Sequence, residues 1–128
     1  MKLLLDTCTF LWLTTDDPEL SHTAKLMFQD EGNAVYLSSV SAWEIMVKNG
    51  LGKLPLPDKA DSFIQQQCKN HFIETLPLET KAVFHLRLLP NHHRDPFDKM
   101  LICQAIEHDL TILTNDEMIV KYPVSTFW

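Results

Sequence analysis

An alternation of two kinds of segment constrains the fold of this chain more than any other feature. Short apolar runs at 2–5, 34–37, 72–75, 111–113 and 124–127 read as strands, and between them lie stretches with helical signals. Residues 7–13 form a short helical turn. Ser21 caps a helix reaching about Asp30, which Glu31-Gly32-Asn33 stops. Residues 38–41 lead into a helix carrying Trp43, Glu44, Met46 and Val47 that ends at Asn49-Gly50. Asp58 caps a helix to about Lys69, and Pro77 and Thr80 open another reaching about Leu89. Asp95-Pro96 starts the strongest helix, to about His108, because proline is pre-set for the first helical position. A short helix after Asp116 is broken by Tyr122-Pro123. Strands alternating with helices predict a three-layer α/β/α domain around a central, mostly parallel sheet of four to five strands.

Parallel α/β sheets bind ligands beyond the carboxyl ends of their strands. Asp6 ends the first strand, Asp116 follows the fourth, and Glu44 sits in the helix after the second. Three acids from distant parts of the chain thus fall on one rim. Asp98, in the first turn of its helix, is the natural fourth.

Each acid also has a plainer explanation. Glu44 fits a capping box with Ser41 and an i,i+4 pair with Lys48. Asp98 suits a helix N-terminus, with Asp95 as the cap, and Asp116 can cap the helix that follows it. Asp6 is the hardest to explain so, because a carboxylate closing a buried leucine run loses its hydration. Together the plain explanations fail. Two carboxylates about 5 Å apart repel by about 3 kcal/mol at an effective dielectric of about 20. Four on one rim need protons or cations, and oxygen donors without histidine or cysteine select Mg²⁺ or Mn²⁺.

Composition fits this reading with one objection. The 128 residues, 45% of them hydrophobic, are enough for one domain, 1–128, that buries roughly two-thirds of its unfolded surface. The apolar run at the N-terminus is only three leucines long, so it is not read as a signal peptide, and no stretch approaches a membrane span. A soluble, cytoplasmic protein is expected. Three cysteines (Cys8, Cys68, Cys103) without a C-x-x-C pair indicate neither a disulfide framework nor a zinc site. The net charge of −6 argues against binding nucleic acid through a broad basic surface. Two bound divalent cations would offset most of that charge where a phosphate would sit.

Four blocks of the sequence resemble the PIN-domain family, and within it the VapC-type toxins of bacterial toxin–antitoxin pairs. The first is Leu3-Leu4-Leu5-Asp6-Thr7 with Leu11-Trp12-Leu13. The second is Ser41-Ala42-Trp43-Glu44-Ile45 with Leu51-Gly52-Lys53-Leu54-Pro55-Leu56-Pro57. The third, and the most specific, is His93-Arg94-Asp95-Pro96-Phe97-Asp98-Lys99-Met100-Leu101-Ile102. The fourth is Thr111-Ile112-Leu113-Thr114-Asn115-Asp116 with the closing Tyr122-Pro123-Val124. The resemblance implies a Mg²⁺- or Mn²⁺-dependent endoribonuclease in which metal-activated water leaves a 5′-phosphate and a 3′-hydroxyl. It implies Asp6, Asp98 and Asp116 as the main metal ligands. Glu44 would complete a second metal position or help deprotonate the water. Asp95 would be the helix cap, and Thr7 and Thr114 could orient carboxylates through their hydroxyls. Structured RNA such as tRNA, a homodimer and an inhibitory antitoxin protein are the implied partners. Cys8 and Lys99 depart from the residues common at those places in the family, outside the acidic set.

The remaining features carry less. The His92-His93-Arg94 cluster reads as a solvated loop, with phosphate contact as the alternative. Lys48 and Lys53 could track an RNA backbone, and Trp43, Met46 and Val47 read as core or dimer surface. The main rival is a catalytically silent RNA- or protein-binding module on the same fold. An aspartyl phosphatase lacks the second acid that usually follows two residues after the first. A thiol nucleophile at Cys8 and a receiver-like signalling domain are the minor alternatives.

Overall fold

The structure, a computed structural model, describes all residues, 1–128. Five strands form one sheet: β1 (Lys2–Leu5), β2 (Ala34–Ser38), β3 (Glu74–Leu76), β4 (Thr111–Leu113) and β5 (Thr126–Phe127). Their order is β3-β2-β1-β4-β5, and every pairing is parallel. The leucines explain why β1 is central. Leu3, Leu4 and Leu5 are all fully buried, each contributing about 2 kcal/mol relative to exposure. Only a strand covered on both faces accepts such a run.

Alternation along β1 and β4 divides the interior into two layers. Leu3, Leu5 and Leu113 pack with Phe10 and Leu13 of α1 (Thr7–Thr15), Ala24 of α2 (His22–Gln29), Ile45 of α3 (Ser39–Gly50) and Phe63 of α4 (Ala60–Asn70). Leu4 and Ile112 point the other way. They pack with Leu101, Ile102 and Ala105 of α6 (Pro96–His108) and Ile119 of α7 (Glu117–Val120). The three-layer α/β/α prediction therefore holds, with a sheet that is entirely parallel.

The helix α3 ends at Gly50, as expected, and the backbone then turns left-handed at Gly52, φ +72°, where the amides of Gly52 and Lys53 bond to the carbonyls of Asn49 and Lys48 in a Schellman closure. Element ends depart from the sequence expectations in three places. Asp58 does not cap α4: its carboxylate takes the Lys59 amide, one residue too early, and the helix starts without a side-chain cap. The helix expected to reach Leu89 is α5 (Thr80–Val83) followed by a 3₁₀ turn, Phe84–Leu88. Pro90 forces Leu89 into extended backbone, so an α-helix cannot continue there. Finally, β3 begins at Glu74, not at Phe72. Phe72 is left-handed (φ 55°) because α4 ends in its own Schellman closure, with the Phe72 and Ile73 amides on the carbonyls of Lys69 and Cys68.

No helix is long and apolar enough to cross a membrane.

Candidate active site

The strand order reverses at β1, which has β2 on one side and β4 on the other. A crevice opens at such a point beyond the carboxyl ends. Asp6 leaves β1 there as the cap of α1, and its Oδ1 accepts the Thr9 amide at 2.8 Å. Its Oδ2 accepts from the Thr114 hydroxyl, just past β4. Thr114 Oγ1 also accepts the Asp116 amide at 3.0 Å, so one buried hydroxyl ties the two acids together. Asp116 caps α7 through the amides of Met118 and Ile119. Thr9 Oγ1 donates to the Leu113 carbonyl at 2.9 Å and fastens α1 to the end of β4.

Glu44 enters from α3 and is 6% exposed. The expected capping box with Ser41 does not form. Ser38 caps α3, so the helix has begun before Ser41, which is itself buried against Thr7. Glu44 Oε1 instead accepts the Thr7 hydroxyl at 2.7 Å, and Oε2 takes the Lys48 ammonium one turn on. Thr7 and Thr114 thus orient carboxylates through their hydroxyls, as expected from their positions.

Asp98 lies in the first turn of α6, which Asp95 caps through the Phe97 and Asp98 amides at 2.9 and 3.1 Å. Its Oδ2 is 3.2 Å from Nε2 of His93. That histidine is not part of a solvated loop: its side chain is 14% exposed and turned inward. His92 and Arg94 remain exposed. Gln104, fully buried in an apolar stretch of α6, braces the same rim by accepting from the Ser38 hydroxyl and donating to the Pro77 carbonyl at 3.2 Å.

The charges of the other three acids reach Asp98. Burial, then repulsion from Asp95, Asp116, Asp6 and Glu44, pushes the Asp98 carboxyl up to about 8. Burial also raises Asp6, against hydrogen bonds from Thr114 and Thr9 and with a push from Asp116. The bond to Glu44 raises Lys48 and keeps it charged. Cys8 is a poor nucleophile here, because burial and the neighbouring Asp6 and Glu44 push its thiol up to about 11.

The donor set fits a hard divalent cation: four carboxylates with a deficit of positive charge and no thiolate in line. As the side chains stand, no three His, Cys, Asp or Glu groups are close enough to hold an ion between them. Oδ2 of Asp98 is engaged by His93 and Oε2 of Glu44 by Lys48, and Oδ1 of Asp98 has no hydrogen-bond partner.

Trp43 is not a core residue. It is 56% exposed and meets Phe97 edge-on, with ring centroids 4.8 Å apart, because its place on α3 faces away from the sheet. Met46 and Val47 share that exposed face.

A profile of the PIN domain matches residues 3–124. The chain belongs to the PIN domain family. The ribonuclease VapC16 of Mycobacterium tuberculosis is 32% identical over 63 residues, which cover 49% of this PIN domain chain and 45% of that relative. The match thus spans about half the length of the relative. Two solved structures share the PIN fold over nearly the whole chain. VapBC2 from Rickettsia felis, bound to a DNA fragment from its promoter, has a TM-score of 0.73 at 17% identity, covering 99% of this chain and 98% of that one. DNA-bound VapBC from Salmonella typhimurium has a TM-score of 0.73 at 20% identity, covering 99% and 97%.

Two connections at the site are absent from the sequence reading. His93 faces Tyr122 and Asp98, and Gln104 ties α6 to the rim. A histidine five residues before an acid carries no periodic signal. A glutamine amid apolar residues is a visible anomaly, and a buried polar group of that kind needs partners.

Proposed function

We propose that this PIN domain is a metal-dependent endoribonuclease and the toxin of a toxin–antitoxin pair, with Asp6, Glu44, Asp98 and Asp116 as its catalytic and metal-binding residues. The observation that carries the reading is the gathering of acids beyond β1 and β4, where the Thr114 hydroxyl ties Asp6 to Asp116 and where Asp98, raised first by burial and Asp95, is also pushed up by the other three. The similarity to a named ribonuclease over half the chain supports the reaction class. Asp6, Asp98 and Asp116 would be the main residues holding Mg²⁺ or Mn²⁺, which would supply the charge that activates water and offsets the phosphate.

The chain's own residues do the rest. Thr114 and the α1 N-terminus hold the Asp6 carboxylate fixed at the crevice. Thr7 steadies Glu44, which would complete a second metal position or help take the proton of the attacking water. The water oxygen joins phosphorus, the bond to the 3′ oxygen breaks, and the leaving 3′ oxygen takes a proton from solvent, so the products carry a 5′-phosphate and a 3′-hydroxyl. Lys48 and Lys53, close in sequence to Glu44, supply cationic groups for the RNA backbone. RNA such as tRNA is the substrate, in the cytoplasm, with residues 1–128 acting as one domain. An antitoxin protein is the inhibitory partner. A second copy of the chain completes a homodimer, for which the exposed Trp43, Met46 and Val47 of α3 offer apolar surface.

One observation favours the silent binding module: Glu44 and Asp98 are already paired with Lys48 and His93. Activity separates the two readings. Purified chain, free of antitoxin, should cut cellular RNA with Mn²⁺ present. Asp6→Asn and Asp98→Asn should each lower that rate at least about 100-fold while the circular dichroism spectrum stays native. Failure of the wild-type chain to cut any cellular RNA gives the silent module the case.

A further inference from the structure

Tyr122 lies between α7 and β5, and its phenol reaches the loop before α6. The residue is 3% exposed. Its hydroxyl oxygen accepts the backbone amides of His92 and His93, both at 3.3 Å, and stands 2.8 Å from Nδ1 of His93. A phenol oxygen has two lone pairs and one proton to give. The two amides occupy the accepting side. The proton therefore goes to Nδ1, which must be the bare nitrogen of a neutral ring. The ring proton is left on Nε2, 3.2 Å from Oδ2 of Asp98.

We propose that Tyr122 and His93 are positioning residues for Asp98. The tyrosine hydroxyl fixes the Nε2–H tautomer, and that N–H holds Oδ2 of Asp98 and leaves Oδ1 without a hydrogen-bond partner. The ring is 14% exposed and the Asp98 side chain 16%, so the contact is sheltered from competing water. Fixing a histidine tautomer from the far nitrogen is a general way to orient the group on the near one. The inference rests on the reading of Asp98 as part of the cleavage site. It gives Tyr122 a task at the site although it stands 24 residues beyond Asp98 in the sequence.

The test has two arms. In the first, long-range ¹H–¹⁵N spectra of the imidazoles are recorded on the full chain above the imidazole titration range. His93 should show the Nε2–H tautomer, and Tyr122→Phe should shift it toward a mixture. An Nδ1–H tautomer in the wild-type chain overturns the proposal, whether or not the variant folds. In the second arm, His93→Ala should lower kcat on RNA about 10- to 100-fold with little change in KM. His93→Gln, which keeps an N–H donor, should recover most of that loss. Equal rates for the alanine and glutamine variants contradict the proposal. If the wild-type chain cuts no RNA, the ribonuclease reading fails, and the tautomer of His93 still decides the positioning claim.

Discussion

Asp98 concentrates the physics of the site. A carboxyl in an unfolded chain titrates near 4, whereas the folded environment pushes this one up to about 8. Between those values the folded chain holds a proton that the unfolded chain has lost, so stability falls as pH rises through the window. The metal-free protein should therefore melt at progressively lower temperature as pH climbs from about 4 to about 8. Asp98→Asn should flatten that slope. Added Mg²⁺ or Mn²⁺ should raise the melting temperature most near pH 8, where the charge it offsets is fully developed. A melting temperature indifferent to both pH and divalent cation would show that the four acids do not share one field. Asp6 adds to the slope in the same sense, because burial raises it too.

At the scale of elements, three of the four acids are placed by strand ends and helix starts. Asp6 and Asp116 each end a link between a strand of the sheet and a helix they cap, and Asp98 lies in the first turn of α6, whereas Glu44 projects from the middle of α3. Carboxylates at helix N-termini meet amides and a favourable dipole, which keeps an acidic rim foldable. Much of this was legible in the sequence. Leu3-Leu4-Leu5-Asp6 could only be a buried strand with a carboxylate at its end, and Asp95-Pro96 could only open a helix. What escaped was set by closures that compete with local propensity. Phe72 looked like a strand residue and is instead the left-handed turn of a Schellman closure, 90% exposed. The Glu44–Thr7 and His93–Tyr122 contacts join segments about 30 residues or more apart, and no pattern within one segment reports them. The Phe72 geometry has a measurable cost, since left-handed backbone is unfavourable by about 1–2 kcal/mol for a residue with a Cβ. Phe72→Gly should raise the unfolding free energy by about 1 kcal/mol in urea titrations, because no packed side chain is lost. A loss of stability would show that the phenyl ring packs against more than the turn it sits on.

The molecule as a whole is acidic, with 17 Asp and Glu against 11 Lys and Arg. A PIN domain of this charge has few lysines or arginines to spend on phosphates, so the RNA binding proposed for it should rest on the metal site and shape. The binding constant for RNA should then depend weakly on monovalent salt. A slope no steeper than about −2 in log K against log salt, equivalent to about three neutralised phosphates, is expected. A much steeper slope would point to a basic surface formed by a second copy or another partner. The decisive question is whether these carboxylates direct water to a phosphodiester. Sequencing the ends of RNA cut by the purified chain in Mn²⁺ measures that directly. The expected ends carry 5′-phosphate and 3′-hydroxyl and vanish with a chelator or with Asp98→Asn. Cleavage that survives the chelator and leaves 5′-hydroxyl ends would rule out the metal-activated water.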